Sequence, residues 1–269
     1  MSTLPASIFK YVPPDRVDII LNERIAFTPP NRFKDEFDVR PRVKPVTDGQ
    51  FLRKRAKEAE REFLKSLPRY QRPHSKSQRR EIFRELRLGA VERVRGQAQQ
   101  NADVWEKQIH QEISNTFGIL CMSEVVDENL IWEESADHHR GFAIEFDVAR
   151  RSFQAMGQLR RVVYVPQQPI YDPVKGANGF WLQKLGAKFQ HEREWRISRR
   201  LDQCEVNLVN GIKIYLCSCQ RMSIKAIYLG LHCDEGLENK IREALAGASV
   251  EFNRAYLENR TSKLSFQKM

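Results

Sequence analysis

The residues best suited to do chemistry are the run Glu192-Arg193-Glu194-Trp195-Arg196-Ile197. Its pattern predicts a β-strand, in which successive side chains point to opposite faces. Glu192, Glu194, Arg196 and Ser198 then share one face, while Trp195 and Ile197 anchor the other to a core. On a helix the two glutamates would diverge by about 200° and could not cooperate. Two close carboxylates resist joint ionisation, so one pKa rises, and Arg196 on the same face opposes that rise. Catalytic sites use such an arrangement. An exposed strand face with charges of alternating sign has the same pattern.

Other side chains carry two readings each. His139 precedes Gly141 at the mouth of an expected strand, as a ligand contact or proton carrier, or as a structural histidine holding a loop. Trp132 and Phe33 are suited to stack on a planar ring such as nicotinamide or adenine, or to fill a core. Arg196 can meet a pyrophosphate with two parallel hydrogen bonds, or neutralise Glu192 and Glu194. Asp35 and Asp38 together with a glutamate suggest a metal nuclease, but the lysine that would support it is missing after Glu194. No Gly-x-Gly-x-x-Gly and no Walker loop occurs, which argues against a Rossmann or P-loop nucleotide site.

These residues must be positioned by elements at both ends of the chain. Strands are expected at Ile8–Tyr11 and Ile25–Thr28, the second stopped by Pro29-Pro30, with a short helix from Asp15 to Asn22 between them. Further strands are expected at Ile119–Met122, Gly141–Asp147, Arg161–Val165, Glu192–Arg199, Ile212–Cys217 and Ile224–Gly230. Helices are expected at Asp127–Asp137 and Glu235–Gly247, and the polar tail from Arg254 reads as frayed. Between 48 and 115 apolar residues recur at helical spacing, which predicts one helix up to Pro68 and one or two more after it.

At 269 residues the chain is long enough for one large domain with an insertion, and 41% hydrophobic content excludes broad disorder. The net charge is +10, and it is concentrated: residues 53–95 hold fifteen Lys and Arg against six Asp and Glu. That excess points to a nucleic-acid surface, with Arg79, Arg80, Arg84 and Arg87 as its contacts, or to a solvated helix face. Five cysteines form no disulfide framework, and no secretory segment opens the chain, so a cytoplasmic protein is expected. Cys217, Cys219, His232 and Cys233 match no common zinc spacing, and no metal is expected. No apolar run reaches the roughly 20 residues of a membrane span. Oligomeric state is not legible.

Several blocks occur in a telling order: Ile8-Phe9-Lys10-Tyr11, Ile25-Ala26-Phe27-Thr28-Pro29-Pro30, Lys34-Asp35-Glu36-Phe37-Asp38, Leu120-Cys121-Met122-Ser123-Glu124, His139-Arg140-Gly141-Phe142, and Glu192-Arg193-Glu194-Trp195-Arg196. In this order, outside about 45–115, the chain resembles the bacterial family catalogued as domain of unknown function 2971. It departs from the family where Asn-Asp-Pro-Phe-Glu is replaced by Lys34–Asp38, and where a tyrosine is replaced by Ser135. More remotely, the layout resembles ADP-ribosyltransferases of the toxin and defence type. That resemblance implies an α+β fold with a central mixed or antiparallel sheet, interrupted by the basic helical insertion that spacing and charge place at about 45–115. It implies NAD as substrate, Glu194 and Glu192 as catalytic carboxylates, and Lys10, Tyr11 and Thr28 as contacts for NAD; the side-chain chemistry given above adds Phe33, Trp132, His139 and Arg196 to those contacts. The expected function is transfer of ADP-ribose to a nucleic acid or protein, in a phage-defence or toxin setting. A non-catalytic nucleic-acid-binding protein of a defence system is the alternative, and a nuclease the third.

Overall fold

A computed structural model describes residues 4–44, 49–68, 71–172, 179–258 and 263–269, and among the described residues there are fifteen strands and six α-helices. The strands are β1 (Ile8–Val12), β2 (Arg24–Ala26), β3 (Arg42–Val43), β4 (Phe117–Ser123), β5 (Phe142–Phe146), β6 (Arg160–Arg161), β7 (Val163–Val165), β8 (Ile170–Tyr171), β9 (Gln183–Leu185), β10 (Glu194–Arg200), β11 (Glu205–Val209), β12 (Ile212–Ser218), β13 (Ile224–Leu229), β14 (Glu251–Leu257) and β15 (Leu264–Lys268). The helices are α1 (Asp18–Leu21), α2 (Gly49–Ser66), α3 (Lys76–Thr116), α4 (Asn129–Ser135), α5 (Arg151–Gln154) and α6 (Glu235–Ala244). The protein is a mixed α/β protein with a large mixed sheet.

That sheet has eight strands in the order β15-β14-β13-β5-β1-β4-β10-β6. Every pairing is antiparallel except β13 with β14, which are parallel and joined through α6. The crossover is needed because parallel neighbours cannot be linked by a tight turn. Asp234 caps α6 by accepting a hydrogen bond from the Leu237 amide at 2.8 Å, and Leu237 and Ile241 face the core.

Alternation along the central strands builds two cores. Ile8, Val12, Phe142, Ile144 and Phe146 pack with Trp195 and Ile197 on one face. Phe9, Tyr11 and Ala143 pack with Trp132, Ala255 and Leu264 on the other. Every residue of β5 is buried, Glu145 included, so both faces of the sheet centre are covered. Smaller sheets pair β11-β12-β2, β3 with β8, and β7 with β9. Asn210 and Gly211, both at positive φ, form the two-residue turn between β11 and β12.

The chain divides into two units, one of Met1–Arg40, His110–Pro169 and Trp181–Met269, the other of Pro41–Ile109 and Ile170–Phe180. The second holds β3, β8, α2 and most of α3. Within it Glu106 accepts from the Val43 amide at 2.9 Å and from Arg42 at 3.1 Å, tying β3 to α3. α3 runs 41 residues without a break, through Gly89 and Gly96. At 1.5 Å per residue it is about 60 Å long.

Three expectations need correction. Among its described residues the tail from Arg254 is not frayed: β15 is the edge strand of the main sheet and β14 its neighbour, with Ala255 and Leu264 buried. Arg161–Val165 is two short strands that pair with different partners, Arg161 with Trp195 and Val163 with Gln183. The strand expected from Glu192 begins at Glu194, because Glu192 ends a 3-10 turn over Ala187–Glu192 and Arg193 is left-handed at φ 41°, ψ 51°.

Candidate active site

β10 places Glu194 and Arg196 on one face, as alternation requires, with Trp195 and Ile197 in the core behind. Arg196 grips Glu194 with two nitrogens, Nε at 2.8 Å from Oε1 and Nη2 at 3.0 Å from Oε2. Nη2 also donates to Asp38 Oδ2 at 2.6 Å, and Nη1 to the Trp181 carbonyl at 2.9 Å. Arg196 has no exposed surface. Its guanidinium lies 5.8 Å from the Phe33 ring centroid. A buried guanidinium requires this degree of satisfaction.

Lys184, from β9, completes the network. Its Nζ lies 2.6 Å from Glu192 Oε2, 3.2 Å from Glu194 Oε2 and 4.0 Å from Asp38 Oδ2. The two glutamates therefore meet through Lys184, not through shared strand register. Ser123 fixes the bend between them: its hydroxyl donates to the Glu192 carbonyl at 2.7 Å and accepts from the Val125 amide at 3.1 Å. The Glu194 amide donates to the Tyr164 hydroxyl at 2.9 Å.

The environments drive the two carboxyls apart. Burial pushes both up. For Glu194 that push is outweighed by the charge and hydrogen bonds of Arg196, by Lys184 and by the Cys121 thiol, which hold it down to about 2. For Glu192 burial wins over Lys184, and the neighbouring Glu194 adds to the rise. Burial also presses on the Lys184 ammonium, but Glu194, Glu192 and Asp38 outweigh it and hold the lysine charged. The pair is thus one carboxylate locked in the ionised form beside one poised to take a proton.

An open cavity of about 810 Å³ lies against this network. Lys10, Tyr11, Thr28, Phe33, Lys184, Glu192 and Glu194 all line it, as do Asp38, Phe189 and Cys121. Lys10 Nζ donates to the Cys121 carbonyl at 3.1 Å, and burial lowers its pKa. The Tyr11 hydroxyl donates to the Val125 carbonyl at 2.8 Å, so the ring is a fixed wall. Thr28 is held by reciprocal backbone bonds with Ile119 at 3.0 and 2.9 Å. Phe189 packs under the Lys184 ammonium, 4.5 Å from its centroid.

Arg196, Trp132 and His139 are not on the wall. Arg196 supports the site from behind. Trp132 is fully buried, donates to the Val126 carbonyl at 2.6 Å and stacks on His139 at 5.6 Å with planes 4° apart. His139 bonds Asn129 through Nε2 at 2.9 Å, and burial lowers its pKa. A Cβ on Gly230 would lie 2.1 Å from the His139 carbonyl, so this corner is closed by packing. Trp132 is thus packed between His139 and the core, away from the cavity.

Lys184 is the residue of this network that sequence reasoning missed. A lone lysine between Gln183 and Leu185 carries no motif, and only the folded β9 brings it to the glutamates. Arg79, Arg80 and Arg84 are exposed along α3, while the Arg87 side chain lies outside the described residues. Among the described residues no cluster of three His, Cys, Asp or Glu could hold a metal ion, and no helix is long and apolar enough to cross a membrane. No family model, curated protein or solved structure matches the chain.

Proposed function

We propose that the cavity is the active site of an ADP-ribosyltransferase-like enzyme that consumes NAD, and that the chain belongs with the domain of unknown function 2971 family. The observation that carries the enzymatic reading is the split pair: Glu192 with a raised pKa and Glu194 held near 2, joined by one lysine at the cavity wall. Cavities of several hundred Å³ suit small-molecule and cofactor sites, and this one offers aromatic walls at Phe33 and Phe189 for planar rings. Arg32, Lys34 and Lys188 also line it and supply cations for a pyrophosphate.

In this reading the two glutamates, both expected from the sequence as catalytic carboxylates, take different parts. Glu194 has both oxygens engaged, so it is a positioning residue that orients Arg196 and Lys184. Glu192 is engaged by Lys184 at one oxygen and faces the substrate. The bond between nicotinamide and ribose breaks with its electron pair leaving on nicotinamide. Glu192 steadies the positive charge on the ribose and then takes the proton of the attacking acceptor. The basic segment favours a nucleic-acid acceptor.

Mass spectrometry of NAD incubated with the protein and nucleic acid tests this. Release of nicotinamide with an ADP-ribosyl adduct on the acceptor is expected, and Glu192→Gln removes both. Wild-type protein that neither binds nor consumes NAD would overturn the enzymatic reading. The exposed Arg79, Arg80 and Arg84 would then favour a non-catalytic nucleic-acid-binding protein.

A further inference from the structure

A second cavity, of about 360 Å³, shares no lining residue with the first. Cys217 on β12 forms part of its wall, with Arg24, Arg199, Gln203 and Ser218. Cys204 stands immediately before β11, between the wall residues Gln203 and Glu205, at the rim of the cavity and not on its wall. Glu205 pairs with Leu216 in the β11–β12 ladder, so the next step outward sets Cys204 opposite Cys217. Their sulfurs are 3.0 Å apart. Directly opposed residues of antiparallel strands have Cα atoms about 4.5–5.5 Å apart, within the range a disulfide accepts. Both thiols are free. Cys217 is buried and Cys204 is partly exposed.

The charges around the pair are positive on balance. Arg24 is paired with Glu205 at 3.1 Å across an exposed bridge. Arg199, half-buried, has no carboxylate partner among the described residues. A cavity with a spare guanidinium beside a thiol pair selects a small anionic molecule that reacts with thiols.

We propose that Cys204 and Cys217 form a reversible dithiol–disulfide pair, oxidised by exchange with a small anionic disulfide seated in this cavity. The Cys204 thiolate attacks one sulfur of the incoming disulfide. That S–S bond breaks, a mixed disulfide forms on Cys204, and the first small thiolate leaves with the electron pair. The Cys217 thiolate then attacks the Cys204 sulfur and expels the second. The two protein protons end on the two released thiols, the protein loses two electrons and the small disulfide gains them. The order follows from exposure, since Cys204 is the thiol that solvent reaches.

Burial raises the Cys204 thiol to about 12, helped by the hydrogen bond and charge of Cys217 and opposed by Arg199. Little thiolate exists at neutral pH, so exchange is slow there and accelerates about tenfold per pH unit over the range below that value. The pair thus responds to sustained oxidising conditions, not to brief exposure.

Glutathione disulfide is the probe. Incubation of the whole protein is expected to lower its intact mass by about 2 Da, with digestion recovering a Cys204–Cys217 cross-linked peptide. Cys217→Ser is expected to trap one glutathione on Cys204, and Cys204→Ser to leave Cys217 unmodified. Glutathione disulfide should react about tenfold faster than cationic cystamine, and Arg199→Glu should reverse that order. Adducts confined to Cys121, Cys219 or Cys233, or both thiols left reduced in the wild type, would overturn the pairing. Equal rates for the two disulfides would overturn the anionic selectivity. The wild-type cross-link stands as a test even if a variant fails to fold, and no arm depends on NAD.

Discussion

Arg196 and Glu194, two residues apart on one strand, form a bidentate pair with no access to solvent on the arginine side, at 2.8 and 3.0 Å. The guanidinium is held by β10, by Asp38 from the loop after β2, and by the Trp181 carbonyl. Taking one partner from such a pair strands the other charge in a poorly hydrated place, which is costly, whereas the intact pair is close to neutral in net stability. The relationship therefore fixes geometry more than it adds stability, and what it fixes is the position of Lys184 and Glu192.

Glu194→Gln is expected to destabilise the fold by about 3 kcal/mol, because Arg196 loses its principal countercharge. The pH dependence has a definite sign. The folded-state pKa of Glu194 is held to about 2, below its ordinary 4.5. The stability it contributes is present above 4.5 and is lost as pH falls through that value toward about 2. Urea midpoints measured across that acid range should fall steeply for wild type and less for Glu194→Gln. Parallel curves would contradict the assignment.

Glu192→Gln is expected to lower NAD turnover by about 10²–10³ while leaving the urea midpoint nearly unchanged. Wild-type activity should rise with pH as Glu192 deprotonates, along a limb displaced above the usual carboxylate range by burial. Lys184 opposes that displacement. Lys184→Met should therefore move the limb to still higher pH. A limb that stays in place would remove Lys184 from the acid–base apparatus.

Trp132→Phe separates a core role from a ligand role. It deletes the hydrogen bond to the Val126 carbonyl and leaves that acceptor unpaired. The expected cost is about 1–3 kcal/mol of stability. The KM for NAD should not change, since Trp132 is not on the cavity wall. A raised KM at unchanged stability would restore Trp132 to the ligand site.

Replacing Arg79, Arg80 and Arg84 together by glutamate should weaken nucleic-acid binding and flatten its salt dependence. Each lost phosphate contact reduces the slope of log K against log salt by about 0.9. Unchanged affinity and slope would leave these arginines as a solvated helix face.

Much of this arrangement was legible in the sequence because periodicity reports burial. Phe142, Ile144 and Phe146 alternate with Ala143 and Glu145, and the two sets enter different cores. Trp195 and Ile197 behaved as an anchor for the same reason. The bend at Arg193 was not legible: a left-handed residue other than glycine has no reliable sequence signal, and it depends on Ser123, a residue of β4 far away in the sequence, as well as on the local Gln190 carbonyl. Lys184 was invisible because its role exists only through contacts with residues on other elements. The outer strands β14 and β15 were obscured by their polar faces, since an edge of a sheet needs only one buried side.

The order of β1 in the main sheet bears on how the chain is made. β1 is synthesised before its two sheet neighbours, β4 and β5, which follow only after α2 and α3 have been completed. Until then Ile8, Phe9, Tyr11 and Val12, all buried in the final structure, have no sheet to join. Pairing so distant in sequence is slow and leaves apolar surface uncovered in the meantime. Slowing translation across α3 would therefore lengthen the exposure of β1 and lower the yield of folded protein.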